Sequence, residues 1–128
     1  MKAYDKLHDE IYDVAIINYV ERTCFLRDRR IQGEIGRDFE DVIFLEETGK
    51  KDRHGNELIE DDFIKNLNGT IMQIKYGEYK MFCPSDKMYE NNVGFYVEAK
   101  GYPQMPLGPT EDYAIKLGNI YTDRKLCL

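Results

Sequence analysis

The chain has no tryptophan, one serine, two histidines and three cysteines in its 128 residues. Each shortage removes chemistry. Ser85 follows Pro84 and has no histidine near it in sequence, so a Ser–His nucleophile pair has no local support. His8 and His54 lack metal-ligand spacing to each other or to a cysteine, which leaves a zinc site unsupported. Cys24, Cys83 and Cys127 are odd in number, widely spaced and without a CxxC pair, and read as reduced thiols of a cytosolic compartment. No apolar run approaches the ~20 residues of a membrane span, and the N-terminus carries no secretory h-region. GxSxG, P-loop and GxGxxG motifs are missing, and Gly33-Glu34-Ile35-Gly36 lacks the strand–helix context of a phosphate loop. The expectation is a non-enzyme without cofactor or metal.

What is present is acidic, aromatic and β-branched. A net charge of −6 forgoes the counterion-release term behind non-specific nucleic-acid binding. With 42% hydrophobic and 33% charged residues the chain has the balance of a folded domain rather than a disordered one. Its length fits a single compact unit, 1–128, able to bury roughly two-thirds of its unfolded surface. Ten tyrosines and six phenylalanines favour pleated, half-buried surfaces.

Taken along the chain, residues 1–10 are polar, with Tyr4 and Leu7 as anchors. Ile11–Val20 reads as a strand or two short strands with a kink, Glu21-Arg22 as a turn and Thr23–Leu26 as the return strand. Arg27–Gly36, charged and holding two glycines, reads as a loop, and Phe39–Leu45 as a buried strand. Asp52-Arg53-His54-Gly55 has turn chemistry, Asp52 at the first position and Gly55 at the fourth. Asn68-Gly69 is a two-residue hairpin signal between Phe63–Leu67 and Thr70–Tyr76. A turn at Gly77-Glu78, a strand over Tyr79–Cys83, a loop over Pro84–Asn92 and a strand over Val93–Ala99 follow. A proline-rich loop over 100–110, a closing strand over Tyr113–Tyr121 and a tail complete the chain. The expected fold is mainly β: a short N-terminal β-hairpin region, 1–45, packed on a small SH3-like barrel, 46–128.

Candidate sites are few. The cluster Glu57, Glu60, Asp61 and Asp62 fails the EF-hand pattern, because counting from Asp52 puts Gly55 fourth rather than sixth. It reads as a solvated acidic bend, and His54 as a solvated turn residue. Arg22, Arg27, Arg29 and Arg30 around Phe25 could grip phosphates and stack a base, against Glu21, Asp28 and the net charge. Tyr76, Tyr79, Tyr89, Tyr96 and Tyr102 recur through the barrel region, and could either line a partner-binding face or complete a thin core. Pro103, Pro106 and Pro109 have the three-residue period of polyproline II, which suits a docking strand or a rigid connection. Two functional readings remain: binding of another protein, a second copy of the chain included, and association with nucleic acid through the Arg22–Arg30 hairpin.

Thr48-Gly49, Asp52, Gly55, Glu57-Leu58-Ile59-Glu60 and Asp62-Phe63-Ile64 resemble the signature of the YopX family of bacteriophage and prophage proteins, approximately Thr-Gly-Leu-x-Asp-x-x-Gly-x-x-Ile-x-Glu-Gly-Asp-Ile-Val. Ala3-Tyr4-Asp5-Lys6 is similar to the family's Arg-Ala-Trp-Asp opening, and Gly118-Asn119-Ile120-Tyr121 to its closing Gly-Asn-Ile-Tyr. This chain departs from the pattern at Tyr4 for Trp, Lys50 for Leu and Asp61 for Gly. The resemblance implies a small, mostly β, phage-associated protein in the host bacterial cytoplasm and carries over no activity.

Overall fold

The computed structural model describes residues 1–123; residues 124–128, among them Cys127 and most of the expected tail, lie outside the described residues. The described chain is mainly β, with twelve strands, two 3-10 turns and no α-helix, and it contains a curled, half-barrel sheet. It divides into two compact units, Met1–Glu46 and Glu47–Leu128.

The first unit is an antiparallel sheet in the order β4-β3-β2-β1-β5. Its strands are β1 (Lys2–Asp5), β2 (Glu10–Asn18), β3 (Thr23–Asp28), β4 (Gly33–Asp38) and β5 (Val42–Leu45). The polar N-terminus, expected to carry no element, supplies β1, which lies between β2 and β5. Its charged ends disguise it: Ala3 joins the core of Tyr12, Cys24, Leu26 and Val42, and the buried Asp5 is held by Arg37. The expected loop over Arg27–Gly36 is also corrected, because β3 runs to Asp28 and β4 begins at Gly33. The Asp28 carboxylate takes the Arg30 amide at 2.9 Å and folds the intervening residues into a turn. Gly36 sits within β4 facing the Phe25 ring, 3.5 Å from where a Cβ would be. The strand expected over Phe39–Leu45 opens as a 3-10 turn, Phe39–Asp41, and becomes β5 at Val42. Phe39 is diverted into ring contacts with Tyr19 and Phe44.

The second unit begins with β6 (Glu47–Lys51) and β7 (Glu57–Ile59), which pair with each other. A five-stranded antiparallel sheet follows, in the order β11-β10-β9-β8-β12. It is built from β8 (Asp62–Lys65), β9 (Ile71–Cys83), β10 (Met88–Glu98), β11 (Met105–Pro106) and β12 (Ile115–Asn119). Leu58, Ile64, Met72, Ile74, Val97, Leu107 and Ala114 form its core. The connection from β8 to β9 is longer than the two residues expected. Asn66 closes it, its amide bonded to Thr70 O and its carbonyl to Gly69 N, because the Asn66 side chain also accepts from the amides of Asn68 and Thr70. Gly69 takes φ +88 within this turn.

The largest correction concerns Gly77-Glu78, expected as a turn, and Pro84–Asn92, expected as a loop. Both lie mostly within one long hairpin of β9 and β10, paired from Gln73↔Glu98 to Cys83↔Met88. Gly77 sits opposite Gly94 at mid-length, with φ of +145 and +151. A pair of residues in that region lets both strands bend sharply while keeping the ladder. The glycine marks a bend in the ribbon, and the reversal comes later, at Pro84–Lys87.

Candidate functional site

Beyond the Gly77–Gly94 bend, β9 and β10 leave their neighbours. The pairing of β9 with β8 stops at Gln73 and that of β10 with β11 at Tyr96. Residues 78–93 therefore extend as a two-stranded ribbon. An isolated hairpin of this kind is marginal in water, yet its outer part is rich in exposed apolar groups: Phe82 at 44%, Tyr89 at 64%, Met88 at 65% and Val93 at 77% exposure. Phe82 and Tyr89 are paired across the ladder with their rings 5.3 Å apart, so the apolar surface is organised rather than scattered.

The five tyrosines divide between burial and exposure. Tyr79 and Tyr96 are buried and stacked at 4.9 Å across the bend, completing the packing where the glycines bring no side chain. Burial and the nearby Glu98 push the Tyr96 hydroxyl's pKa up. Tyr76 pairs with Phe95, half exposed, on the opposite face from Tyr79. Tyr89 lies at the ribbon tip. Tyr102 is exposed in the turn after β10, where its amide reaches Ala99 O. Pro103 and Pro106 are exposed; Pro106 lies in β11 opposite Tyr96, so the proline-rich segment supplies an edge strand there. A proline fits that edge because its missing N–H faces outward.

The arginines of the first unit are engaged locally. Arg29 donates to Asp13 at 3.0 Å, and Arg30 to Asp28 and Glu10. The hydrogen bond from Lys2 holds the Asp13 carboxyl's pKa below its usual value, and those from Arg30 do the same for Asp28. The Arg22 guanidinium lies 5.3 Å from the centre of the Phe39 ring. Phe25 and Arg27 are exposed on β3. The patch is thus interleaved with carboxylates, which weakens it as a phosphate grip.

The stretch Thr48–Ile64 is exposed over Arg53–Glu57 but held by two buried carboxylates. Asp52 is 2% exposed. It accepts from the amides of His54, Asn56 and Lys116, and its carbonyl takes the Gly55 amide, with Gly55 at φ +82. Asp62, 0% exposed, accepts from the Ile59 amide and from the Asn119 side chain, with the Lys116 ammonium 3.3 Å away. Asp52, expected as a turn residue, and Asp62, expected in a solvated acidic bend, therefore both fasten β12. Between them Asp61 adopts φ +67. Its side chain accepts from Gln73 and from the Tyr121 hydroxyl. Burial, together with Asp61, pushes the Tyr121 hydroxyl up to about 12. The left-handed backbone costs roughly 1 kcal/mol, while two part-buried hydrogen bonds return about 1 kcal/mol each. Asp61→Gly should accordingly leave urea-measured stability within about 1 kcal/mol of the parent, whereas Asp61→Ala, with the strain but neither bond, should lose about 2 kcal/mol.

Sequence reasoning missed two further clusters. Cys83, Asp86 and Glu90 place one sulfur and two carboxylate ligand atoms within 4.8 Å of one another at the ribbon tip, a donor set that could hold a zinc-like ion. The hairpin brings Glu90 opposite Met81, next to Cys83, a juxtaposition that only the ladder register reveals. In the first unit the buried Asp5 meets Arg37 at 2.9 Å and His8 at 3.4 Å, with the Tyr12 hydroxyl 3.4 Å from the same His8 nitrogen. Cys24 lies near them, buried at 1% exposure, and burial pushes its thiol's pKa up, which makes it a poor nucleophile. No helix of the described residues is long and apolar enough to cross a membrane. No protein-family model matches the chain, and no curated protein matches it.

Proposed function

We propose that this chain is a non-enzymatic accessory protein of bacteriophage or prophage origin, related to the YopX family, that works in the host bacterial cytoplasm by binding protein. The second unit is read as an SH3-like barrel left partly open, with its long hairpin as the binding element. The observation that carries the reading is the ribbon beyond Gly77 and Gly94, a two-stranded projection with Phe82, Met88, Tyr89 and Val93 exposed along it. Such an element is stabilised when a partner covers its apolar face or adds to its edge. The family relation is supported by Asp61, whose backbone is left-handed where the signature has glycine. The Arg22–Arg30 hairpin is less suited to a binding role because Arg29 and Arg30 are tied to Asp13, Asp28 and Glu10.

The test is affinity capture after in-cell cross-linking, comparing the parent chain with Phe82→Glu and Tyr89→Glu. Both changes lie on exposed positions, so circular dichroism and melting should stay close to the parent. Cross-linked protein adducts should form with the parent and be lost with both variants. Adducts that persist unchanged in both variants would defeat the ribbon as the binding element.

A further inference from the structure

The ribbon presents two edges, and they differ. On β9 the outward Lys80 amide is capped by Gln104 Oε1 at 3.0 Å, and Ile74 O is taken by the Asp61 amide. On β10, among the described residues, the edge is covered only from Phe95 onward, where Phe95 O accepts from Leu107 N and β11 begins. Alternation along the strand turns the amides and carbonyls of Tyr89, Asn91 and Val93 to the same outer side as that of Phe95. The edge is lightly guarded: Met88-Tyr89-Glu90-Asn91-Asn92-Val93-Gly94 contains no lysine, proline or bulge, and Glu90 is its one charge.

We propose that this edge pairs with the same edge of a second copy, antiparallel and across a two-fold axis at Asn91, joining two ribbons into one four-stranded sheet. The inference rests on the protein-binding reading of the ribbon and names its partner. The segment is complementary to itself in one register. With Asn91 opposite Asn91, Tyr89 falls opposite Val93 in both halves, an aromatic–β-branched pair of the kind that stabilises antiparallel sheets. The outward backbone groups of residues 89, 91 and 93 then meet their counterparts. On the other face Glu90 falls opposite Asn92, a carboxylate facing an amide donor. Met88 falls opposite Gly94, where nothing lies within 4 Å of a built Cβ. Slid by one residue pair in one direction, the strands would oppose Glu90 to Glu90. Slid in the other, they would need Phe95 O, which Leu107 already occupies. The contact covers a single strand edge and its flanking side chains, so it should be reversible and concentration-dependent.

The test is sedimentation equilibrium of the full chain from micromolar to millimolar concentration. A reversible monomer–dimer equilibrium is expected, together with its loss in Asn91→Pro and Val93→Lys. The Asn91 amide faces outward, so proline there removes an intermolecular bond and none of the bonds to β9. A second readout does not depend on those variants folding. With Cys83→Ser and Cys127→Ser in place, Asn91→Cys should form a disulfide-linked dimer under mild oxidation, because directly opposed Cα atoms of such a pair are about 5.5 Å apart and a disulfide spans roughly 4.4–6.8 Å. Lys80→Cys, on the capped edge, should not. A parent chain that stays monomeric at millimolar concentration, a dimer that survives both edge variants, or equal cross-linking at positions 80 and 91 would overturn the pairing. If the chain is monomeric while Tyr89→Glu still abolishes capture of a different protein, only the self-pairing fails. If neither self-association nor any ribbon-dependent capture occurs, the protein-binding reading fails with it.

Discussion

Replacing Asp52 with alanine should destabilise the fold by about 3 kcal/mol, since three backbone amides lose their acceptor at once around a buried carboxylate. Those amides belong to His54, Asn56 and Lys116, and the Asn56 side chain adds a fourth bond at 3.2 Å. Asp52→Asn should cost less but remain damaging. Both Asp52 oxygens accept from donors, so an NH2 in place of either faces another donor. The same geometry sets the response to acid. Burial alone would raise this carboxyl's pKa, but the amides of Lys116, Asn56 and His54 and the Asn56 side chain outweigh it and hold the group at about 2, from 3.8. A depressed folded pKa means that the unfolded chain binds the proton first. The stabilisation is complete above pH 3.8 and is lost as pH falls through about 2. It amounts to about 2 kcal/mol by linkage. Urea midpoints measured from pH 5 down to about 2 should fall for the parent and fall less for Asp52→Asn. Equal slopes would mean that Asp52 is not the titrating group.

Strand-forming segments with β-branched or aromatic cores were legible in the sequence: Ile11–Val20 became β2, Thr23–Leu26 the body of β3, and the closing segment β12. What escaped reading was decided by pairing rather than by local composition. β1 is four residues with a charge at each end, and only its place between β2 and β5 makes it a strand. Gly77 looks like a turn because turns need glycine, but so does a bend in a long ribbon, and no local feature separates the two before Gly94 is known to lie opposite. Without that pairing the apolar groups of 81–93 look like parts of a loop and a short strand instead of one projecting surface.

The tyrosines were legible as a group but not individually. Alternation sends Tyr76 and Tyr79 to opposite faces, and burial then assigns Tyr79 and Tyr96 to packing while leaving Tyr89 and Tyr102 exposed. The acidic run 57–62 was the most misleading segment, since charge runs usually face solvent. Here β12 brings Lys116 and Asn119 over it, donors supplied from more than fifty residues away. Nothing within the run itself could announce them.

Asp62 should show the opposite pH signature from Asp52, and that contrast gives the sharper test of how β12 is fastened. Its carboxylate is fully buried, and burial pushes its pKa up despite the opposing pull of the Lys116 ammonium, the Ile59 amide and the Asn119 side chain. A raised folded pKa means that the folded chain holds the proton in the window just above 3.8 while the unfolded chain has lost it. The contribution of this group to stability therefore declines as pH rises through that window, where that of Asp52 is already complete. Asp62→Ala should nonetheless cost about 2–4 kcal/mol at neutral pH, because the Ile59 amide loses its acceptor while the Asn119 side chain and the Lys116 ammonium are left with only the carbonyls of Glu60 and Glu57. Asp62→Asn should cost less and abolish the declining limb. The two sites meet on one residue: the Lys116 amide binds Asp52 and its ammonium faces Asp62. Losing either tie loosens the strand that carries the other, so the double variant Asp52→Asn with Asp62→Asn should be less destabilised than the sum of the singles, with a coupling of about 1 kcal/mol or more. Strict additivity in a double-mutant cycle would show that the two carboxylates act on separate elements, and the view of Thr48–Ile64 as a clasp on β12 would have to be abandoned.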